Sequence, residues 1–384
     1  MFTDCNCATA ANSVLFLRRI GTVALLFILA SLSWFVLYKA GETIGFKIPE
    51  SLTSHAPRVF FFIPPSDSLP PPSDTQENKL EKVLKDAAME DKTVILTTLN
   101  EAWAAPSSVI DLFLESFRIG NQTRELLNHL VIIALDEKAF SRCLVVHTHC
   151  YALVSEGVDF SKEAYFMTHD YLKMMWTRID FLKGVLEMGY NFVFTVFILI
   201  LVSLSFQLSL DPFPHFYEDA DFQIACDHFL GNPEDVENRP NGGFLFVRSN
   251  NRSIEFYKFW YTSRETYPNL HDQDVLNNIK YDSFIIDIDL KMRFLDTTYF
   301  GGFCEPSKDL NLVCTMHANC CFGLESKLHD LRVVLQDWKN FLSLPPTLKR
   351  SLPPSWRVPQ NCSLDSLHLY TPPVENVIQE NVEQ

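Results

Sequence analysis

A long apolar stretch near the middle of the chain constrains its fold more than any other feature. Residues 192–210 contain no charge, glycine or proline. The stretch allows three interpretations: a buried strand, a membrane span, or an insertion that interrupts a functional motif. A span would place everything after it on the opposite side of a membrane. The choice therefore decides whether the two halves of the chain can form one domain.

The pattern inside this stretch argues against a uniform membrane helix. From Val202 to Leu210, apolar and polar residues alternate strictly, which is the period of a half-buried strand. The whole stretch would reach roughly 60 Å if fully extended at ~3.3 Å per residue, which is too long for one strand in a domain of this size. We therefore expect the segment to bend.

A second apolar run lies near the N-terminus, at residues 20–38. As a helix it covers about 28 Å, enough to cross the hydrocarbon core of a bilayer. Arg18 and Arg19 precede it, which predicts a signal anchor with residues 1–19 in the cytosol and the remainder in a lumen. A cleaved signal peptide is the alternative, but its apolar core usually has only ~7 to 15 residues. Residues 39–92 are then a proline-rich stem and a linker helix.

Charge and cysteine content narrow the function classes. A formal net charge of −15, without a basic cluster, argues against nucleic-acid binding. The cysteines beyond the anchor predict disulfides in an oxidising lumen, although their pairing cannot be deduced. A zinc site is the alternative, but no pair of Cys-x-x-Cys units supports it. Sequons at Asn121, Asn251 and Asn361 predict glycosylation.

Residues 93–344 alternate between strand and helix patterns, which predicts an α/β domain with a parallel sheet and right-handed crossovers. Ligands in such sheets bind at the carboxyl ends of the strands. Residues 345–384 are rich in proline and then acidic, so we expect a poorly ordered tail. The predicted strands cover residues 93–98, 130–135, 192–195, 222–225, 244–247 and 283–288. The predicted helices cover residues 77–90, 107–117, 171–188, 254–263, 272–279 and 326–342. The residues expected at the rim of the sheet are Thr98, Asn100, Glu101 and Asp136.

Four blocks of the second half occur in a characteristic order: RPNGGF at residues 239–244, HDQDVLN at 271–277, FGGFCEPS at 300–307 and TMHANCCFG at 315–323. With these blocks, the chain resembles the plant nucleotide-diphospho-sugar transferase family, whose members include pectin xylosyltransferases and extensin arabinosyltransferases. The resemblance implies a GT-A (Rossmann-like) domain in a Golgi type II membrane protein. It further implies transfer of a sugar from a nucleotide-diphosphate donor, expected to be a UDP-sugar, to a cell-wall polysaccharide or glycoprotein.

The resemblance also implies a site. GT-A enzymes usually neutralise the diphosphate with a divalent cation, here expected to be Mn²⁺, which carboxylates and a late histidine hold. His317 matches that histidine, and a structural histidine is the alternative. Asp272 and Asp274 match the HDQD block and are implied to be catalytic, unless they only stabilise a helix N-terminus. The residues expected to contact the donor or the acceptor are Thr98, Asn100, Asn241, Gly242 and Gly243. For Asn241, Gly242 and Gly243, a plain hairpin turn is an equally good explanation.

The chain departs from the family pattern at one position. The family places an Asp-x-Asp metal motif directly after the strand at residues 192–195, but Val196 follows here and no acid occurs before Asp211. We hypothesise that residues 196–210 are foreign to the core, inserted through altered splicing, and we expect weak or absent metal-dependent transfer.

A catalytically inactive luminal binding or scaffold protein of the same fold is the alternative function. Of the other Asp-x-Asp sequences, 219–221 is interpreted as a solvated loop and 287–289 as a surface or edge strand.

Overall fold

Strands and helices alternate along the chain in a computed structural model, which describes residues 76–120, 123–153, 160–161, 166–196, 199–200, 212–351 and 355–362. The predicted anchor at residues 20–38 and the predicted stem up to residue 75 lie outside these ranges. Within them, no helix has both the length and the apolar character that crossing a membrane requires. The description below concerns the α/β domain.

The first half of the domain follows the predicted alternation. Side chains that accept backbone hydrogen bonds cap three helices at their start: Asn100 from Trp103, Asp136 from Ala139, and Thr168 from Tyr171. The elements are α1 (Gln76–Ala87), β1 (Thr93–Leu99), α2 (Glu101–Ala104), α3 (Val109–Ile119), β2 (Leu130–Ala134), α4 (Glu137–Val146), β3 (Cys150–Ala152), α5 (His169–Glu187) and β4 (Asn191–Thr195). The strands and helices predicted here are confirmed, whereas α2, α4 and β3 were not predicted.

The second half contains the elements β5 (Leu199–Ile200), β6 (Phe222–His228), β7 (Arg239–Val247), α6 (Asn251–Ser263), α7 (Asp272–Ile279), α8 (Ser283–Asp287), β8 (Met292–Phe294), β9 (Phe300–Gly302), β10 (Thr315–His317), α9 (Leu324–Ser343) and α10 (Pro346–Ser351). The predicted strand at residues 283–288 is wrong, because α8 occupies this position. The Asp282 side chain accepts a hydrogen bond from Phe284 N and caps this short helix, so a local cap outweighs the apolar run.

The main sheet has seven strands in the order β3-β2-β1-β4-β7-β6-β8. Strands β3, β2, β1 and β4 are parallel, but β7 is antiparallel to both β4 and β6. The sheet is therefore mixed, not wholly parallel as predicted. Since β6 runs in the same direction as β4, the carboxyl ends of β1, β4 and β6 lie at one edge, together with the start of β7. This edge carries the candidate site.

The core lies on both faces of the sheet. Alternate residues of β4 point to opposite sides: Phe192 and Phe194 join one buried cluster, and Val193 joins the other. The first cluster includes residues of α1, α5, α6 and α7, and the second includes residues of α3, α4 and α9. Strands buried on both faces read as continuous apolar runs, which is why β1, β2 and β4 were recognisable from the sequence.

The long apolar stretch begins as the central strand of the sheet. Residues 192–195 belong to β4, and Val196 N then donates to Gly243 O at 2.8 Å. Residues 199–200 pair antiparallel with β10, which also pairs with β9 to form a second, three-stranded sheet. The chain therefore leaves the main sheet after β4, as the expected bend requires. The alternating part, residues 202–210, lies outside the described residues.

The expectation of a poorly ordered tail from residue 345 is wrong for residues 346–351 and 355–362. Residues 346–351 form α10, and the buried carboxylate of Asp330 accepts hydrogen bonds from the backbone of Gln360, Asn361 and Cys362. The Asp337 carboxylate accepts two more from Arg357. The domain thus continues past residue 344, because two acids on α9 hold the following chain. The remainder of the predicted tail lies outside the described residues.

Six cysteines form disulfides, which confirms the expectation that cysteines pair. The pairs are Cys143–Cys150, Cys304–Cys320 and Cys321–Cys362. Of the other described cysteines, Cys226 and Cys314 are buried and reduced. The adjacent residues Cys320 and Cys321 join different partners, so two covalent links meet where the chain leaves β10. They fix the cysteine-rich segment against both β9 and the C-terminal region.

Candidate functional site

A cavity of about 390 Å³ opens at the carboxyl edge of the sheet. It collects residues that are far apart in the sequence, because β1, β4 and β6 end here and β7 begins here. The cavity lining contains all eight residues predicted for catalysis, donor or acceptor binding and metal: Thr98, Asn100, Asn241, Gly242, Gly243, Asp272, Asp274 and His317. It also contains polar residues that were not predicted, among them Arg178, Asp227, Gln273, Asn319 and Lys327.

Asp227, near the end of β6, is the centre of a hydrogen-bond network. Its Oδ1 accepts from Asn319 Nδ2 at 2.7 Å and from Asn241 Nδ2 at 2.8 Å, and its Oδ2 accepts from Gln273 Nε2 at 2.9 Å. Burial raises the pKa of this carboxyl, and the three neutral amides only partly oppose that shift. The network thus holds a carboxylate without a paired cation, a group able to accept hydrogen bonds from sugar hydroxyls.

The amides that hold Asp227 are themselves fixed by the backbone. Gln273 Oε1 accepts from Gly242 N at 3.0 Å, and Asn241 Oδ1 accepts from Gly243 N at 2.9 Å. Asn319 Oδ1 accepts from Cys304 N at 3.1 Å. Each amide therefore has one defined orientation, with its NH₂ group towards Asp227. Residues from three of the family blocks meet on this one carboxylate.

Asp272 forms a buried ion pair with Arg178 of α5, and their side chains are only 2% and 7% exposed. Trp260 Nε1 donates to the backbone oxygen of Asp272 at 2.9 Å, which anchors the start of α7. The Arg178 guanidinium also lies 5.0 Å from the centre of the Phe194 ring. Asp272 is thus both a first-turn acid of the helix and a cavity residue, so both alternatives offered for it describe its position.

Asp274 is also in the first turn of α7, but its side chain is 45% exposed. Its backbone N donates to Nδ1 of the capping residue His271 at 3.0 Å. Asp272 is therefore the buried, ion-paired acid of the two, while Asp274 is the more exposed acid of the cavity lining.

Residues 241–243 do not form a turn, because they lie within β7. The sequence Asn-Gly-Gly suggested a hairpin, but the need for glycine arises from close packing. A Cβ on Gly243 would lie 2.0 Å from Cε1 of His317, whereas one on Gly242 would find its nearest neighbours at 3.6 and 3.7 Å. Gly243 therefore allows the His317 ring to lie against the strand.

His317, at the end of β10, is neutral at physiological pH. Burial, together with the positive charges of Lys327 and Arg178, lowers its pKa to about 3. Its Nδ1 is buried and has no hydrogen-bond partner. A neutral imidazole is the form that binds metals, so protonation alone does not exclude the predicted role.

The donor atoms around His317 do not match an Mn²⁺ site within the described ranges. Mn²⁺ prefers carboxylate and other oxygen ligands, but the charged groups that shift the pKa of His317 are cations. Val196 occupies the cavity wall where the family pattern places the metal carboxylates. The three-residue cluster with metal-ligand spacing is Asp227, Cys304 and Cys320, and its two cysteines are already joined by a disulfide. The expectation of Mn²⁺ stays a prediction that these residues do not support.

The predicted rim residues have unequal roles. Thr98 and Asn100 line the cavity, and Asn100 Nδ2 donates to Phe160 O at 3.2 Å. Asp136 accepts from Glu101 N at 2.7 Å as well as capping α4. Glu101 and Asp136 are thus part of the structure that positions the rim, and neither lines the cavity.

Two interpretations of Asp-x-Asp sequences need correction. Asp221 is not in a solvated loop: it is buried, and it accepts hydrogen bonds from Arg252, Asn250 and Lys291 N. The other sequence, at residues 287–289, begins at the last residue of the short helix α8 and not in a strand, but Asp287 and Asp289 are exposed, as the predicted surface position requires. Neither sequence contributes to the cavity lining.

The predicted glycosylation residues Asn251 and Asn361 are exposed, and Asn121 lies outside the described residues. Exposure is what a glycosylated residue requires, and modification itself stays a prediction.

The cavity residues that were not predicted differ in whether the sequence contains a signal that could have identified them. Arg178 is a charge on the buried face of α5, next to Ile179, and a charge on an apolar face is a detectable signal. Asp227 follows a buried strand, as ligand-binding acids do at this edge of a sheet. Asn319 and Lys327 carry no comparable signal, because their position depends on the path of the chain after β10.

Comparison with known proteins agrees with this geometry. Residues 125–331 match the model of the nucleotide-diphospho-sugar transferase family. The uncharacterized Arabidopsis thaliana protein At4g15970 is 54% identical over 285 residues, covering 74% of this chain and 73% of that protein. A second uncharacterized protein of that plant, At1g28695, is 37% identical over 270 residues, covering 69% and 79%.

Among solved structures, a glycosyltransferase involved in glycosylation of the major capsid of PBCV-1 gives a TM-score of 0.36 at 13% identity. It covers 62% of this chain and 98% of the viral protein's chain. The family match spans more than half of the chain and includes β6, β7, α7 and His317. The chain therefore belongs to the nucleotide-diphospho-sugar transferase family.

Proposed function

We propose that this protein transfers a sugar from a nucleotide-diphosphate donor, expected to be a UDP-sugar, to a cell-wall polysaccharide or a glycoprotein. The observation that supports this most is the convergence of the family blocks. Asn241, Gln273 and Asn319 come from three separate blocks, and all donate to the carboxylate of Asp227 in one cavity. Convergence of distant polar residues on one enclosed group is typical of a ligand site and not of a scaffold.

The polar groups of the cavity suit a carbohydrate. Sugars present many hydroxyl groups, each of which donates and accepts hydrogen bonds, so they are bound by fixed carboxylates and amides. Asp227 and Asp274 provide carboxylate acceptors, and the amide network holds Asp227 in one orientation. Trp103, Phe166 and Phe322 add apolar lining to the same cavity. In the proposed reaction, these residues orient the transferred sugar and exclude water that would hydrolyse it.

We also propose that the protein acts in the Golgi as a single-pass type II membrane protein with the transferase domain in the lumen. The proposal rests on the apolar run at residues 20–38 after Arg18 and Arg19, and on the sequons. The three disulfides support an oxidising compartment.

A second candidate function is a catalytically inactive binding or scaffold protein of the same fold. The observation that favours it is Val196, which lines the cavity where the family pattern has an acid. Such a protein would keep the cavity and the nucleotide affinity but lose turnover. Activity and binding therefore have to be measured separately.

Transfer can be tested by incubating the purified full-length chain with individual UDP-sugars and measuring UDP release with and without cell-wall acceptors. We expect release with at least one donor. Asp227→Asn should reduce it by two or more orders of magnitude, because positioned groups contribute ~10²-fold or more to such reactions.

The matched control is Asp219→Asn. Asp219 is also an acid close to β6, but its side chain is 63% exposed and it lies outside the cavity. Equal loss in both variants would show that Asp227 has no specific role in the reaction. Binding of UDP without any turnover, across all donors and acceptors, would favour the inactive binding protein.

A further inference from the structure

One cation of the cavity, Arg178, is paired with Asp272, and the other, Lys327, lies on a different helix. Asp272 and Asp274 lie in the first turn of α7. Lys327, in contrast, lies in the first turns of α9, and its charge together with that of Arg178 acts on His317. No acid is among the groups that shift the pKa of His317 in the described part of the chain. Two cations and no acid of the described residues therefore act on His317, although Asp272 balances the charge of Arg178.

The start of α9 lies in the same region. Gly323 and Leu324 line the cavity, and the N-cap residue, Gly323, has no side chain with which to cap this helix. The helix has 20 residues, so the positive end of its dipole adds to the nearby lysine charge. Glu325 in the first turn is exposed and is not part of the cavity lining.

Two buried nitrogen atoms in this region, Arg178 Nε and His317 Nδ1, have no hydrogen-bond partner among the residues that the structure describes. The Arg178 side chain is only 7% exposed, yet Asp272 satisfies just one side of its guanidinium. Unpartnered buried polar atoms are rare in native proteins, because each costs about 1–3 kcal/mol. A bound anion that enters the cavity and draws these side chains towards it would remove that cost.

We propose that the cavity binds the diphosphate of its donor without a divalent cation, through Lys327, Arg178 and the N-terminus of α9. These groups supply the positive charge that metal-bound carboxylate sites obtain from the ion. The inference rests on the proposed function, since it concerns how the donor's phosphates are held. It also accounts for the apolar Val196, because a site that uses protein cations needs no acid at that position.

The test is calorimetric titration of the full-length chain with UDP and GDP, first in EDTA and then with Mn²⁺. We expect binding of at least one nucleotide in EDTA, with an affinity that Mn²⁺ changes by less than about threefold. Lys327→Met should weaken that binding by about tenfold or more, as expected for loss of one charge-assisted hydrogen bond. Lys327→Arg, which keeps the charge, should retain most of it.

Two controls isolate the phosphate. Lys308→Met removes a lysine that is exposed and outside the cavity, and it should leave affinity unchanged. The nucleosides uridine and guanosine lack phosphate, so Lys327→Met should not weaken their binding.

Each outcome distinguishes the inference from the proposed function. Binding that requires Mn²⁺ and disappears in EDTA overturns the inference and leaves the proposed function intact. Binding in EDTA that is unaffected by Lys327→Met also overturns it. If neither nucleotide binds under either condition, both the inference and the proposed function are contradicted.

Discussion

The two ends of β6 carry acids with opposite surroundings, one buried (Asp221) and one half-buried (Asp227). Asp221, just before the strand, accepts hydrogen bonds from the Arg252 guanidinium, from Asn250 and from the backbone N of Lys291. Asp227, near the other end, accepts hydrogen bonds from three neutral amides, and no cation among the described residues pairs with it. One strand thus has a charge-paired end and an amide-bound end.

The pKa values of the two acids shift in opposite directions for this reason. Burial alone would raise the pKa of Asp221, but the bonds from Arg252, Lys291 N and Asn250 outweigh it and lower the pKa. For Asp227, burial raises the pKa and the amides do not fully compensate. The charge-paired end stabilises the fold, whereas the amide-bound end keeps a carboxylate available for a ligand.

The largest expected effect on stability is at the charge-paired end. Asp221→Ala should lower the free energy of unfolding by about 2–4 kcal/mol, because it removes one ion pair and leaves Asn250 Nδ2 and Lys291 N without their acceptor. Urea denaturation measures this change. Asp219→Ala, two residues earlier and exposed, should change stability by less than about 1 kcal/mol. Similar losses in both variants would remove the distinction between the two ends of the strand.

A smaller effect is expected from adding a methyl group at the amide-bound end. Gly243→Ala should cost about 1–3 kcal/mol, because its Cβ overlaps the His317 ring and forces the ring or the strand to move. Gly242→Ala is the matched variant: its Cβ would make ordinary contacts, so its unfolding free energy should stay within about 1 kcal/mol. Thermal and urea unfolding compare the two. A reversed order would show that Gly243 is not the point of close packing.

The smallest expected effect is a difference in pH dependence. The lowered pKa of Asp221 means that its stabilisation is present above the usual carboxyl pKa of 3.8 and is lost as pH falls through its lower folded value. The raised pKa of Asp227 has the opposite sign: the ionised form is disfavoured, so the native protein gains stability as pH falls from neutral through the raised value, above 3.8.

The contributions of the two carboxyls can be separated by measuring the free energy of unfolding of the native protein, Asp227→Asn and Asp221→Asn between pH 7 and pH 3. Relative to Asp227→Asn, the native chain should become more stable as pH decreases. Relative to Asp221→Asn, its advantage should shrink, and this should occur below the usual carboxyl pKa. If the difference in unfolding free energy from the native protein changed with pH in the same way for both variants, the two acids would not have the opposite surroundings described above.

The sequence predicted the elements that are buried on both faces or have clear helical spacing. Strands β1, β2, β4 and β6 and helix α5 were recognised because apolar periodicity depends only on local residues. The antiparallel direction of β7 was missed, because Asn241 to Gly243 have turn composition although they lie inside a strand. The short strands β8, β9 and β10 were missed because three residues show no period.

The cavity residues that belong to the family sequence blocks could be predicted from the sequence. His317 and Asp272 were found this way, and both line the cavity. The side chains that contact these residues were not predicted. The contact of Asp272 with Arg178, for example, joins residues that are 94 positions apart in the sequence. Which acid is charge-paired and which is amide-bound depends on such contacts. The roles of Asp221 and Asp227 therefore could not be separated from the sequence.

The Cys321–Cys362 disulfide also bears on the order in which the site is completed during synthesis. The chain emerges from the ribosome from its N-terminus, so Cys320 and Cys321 enter the lumen of the proposed topology before Cys362 does. During that interval, Cys304 can pair with either of two adjacent thiols, whereas the structure has it paired with Cys320, next to the Asp227 ligand Asn319. Pairing of Cys321 with Cys362 leaves Cys320 for Cys304, so a residue that does not line the cavity favours the arrangement in which Asn319 meets Asp227.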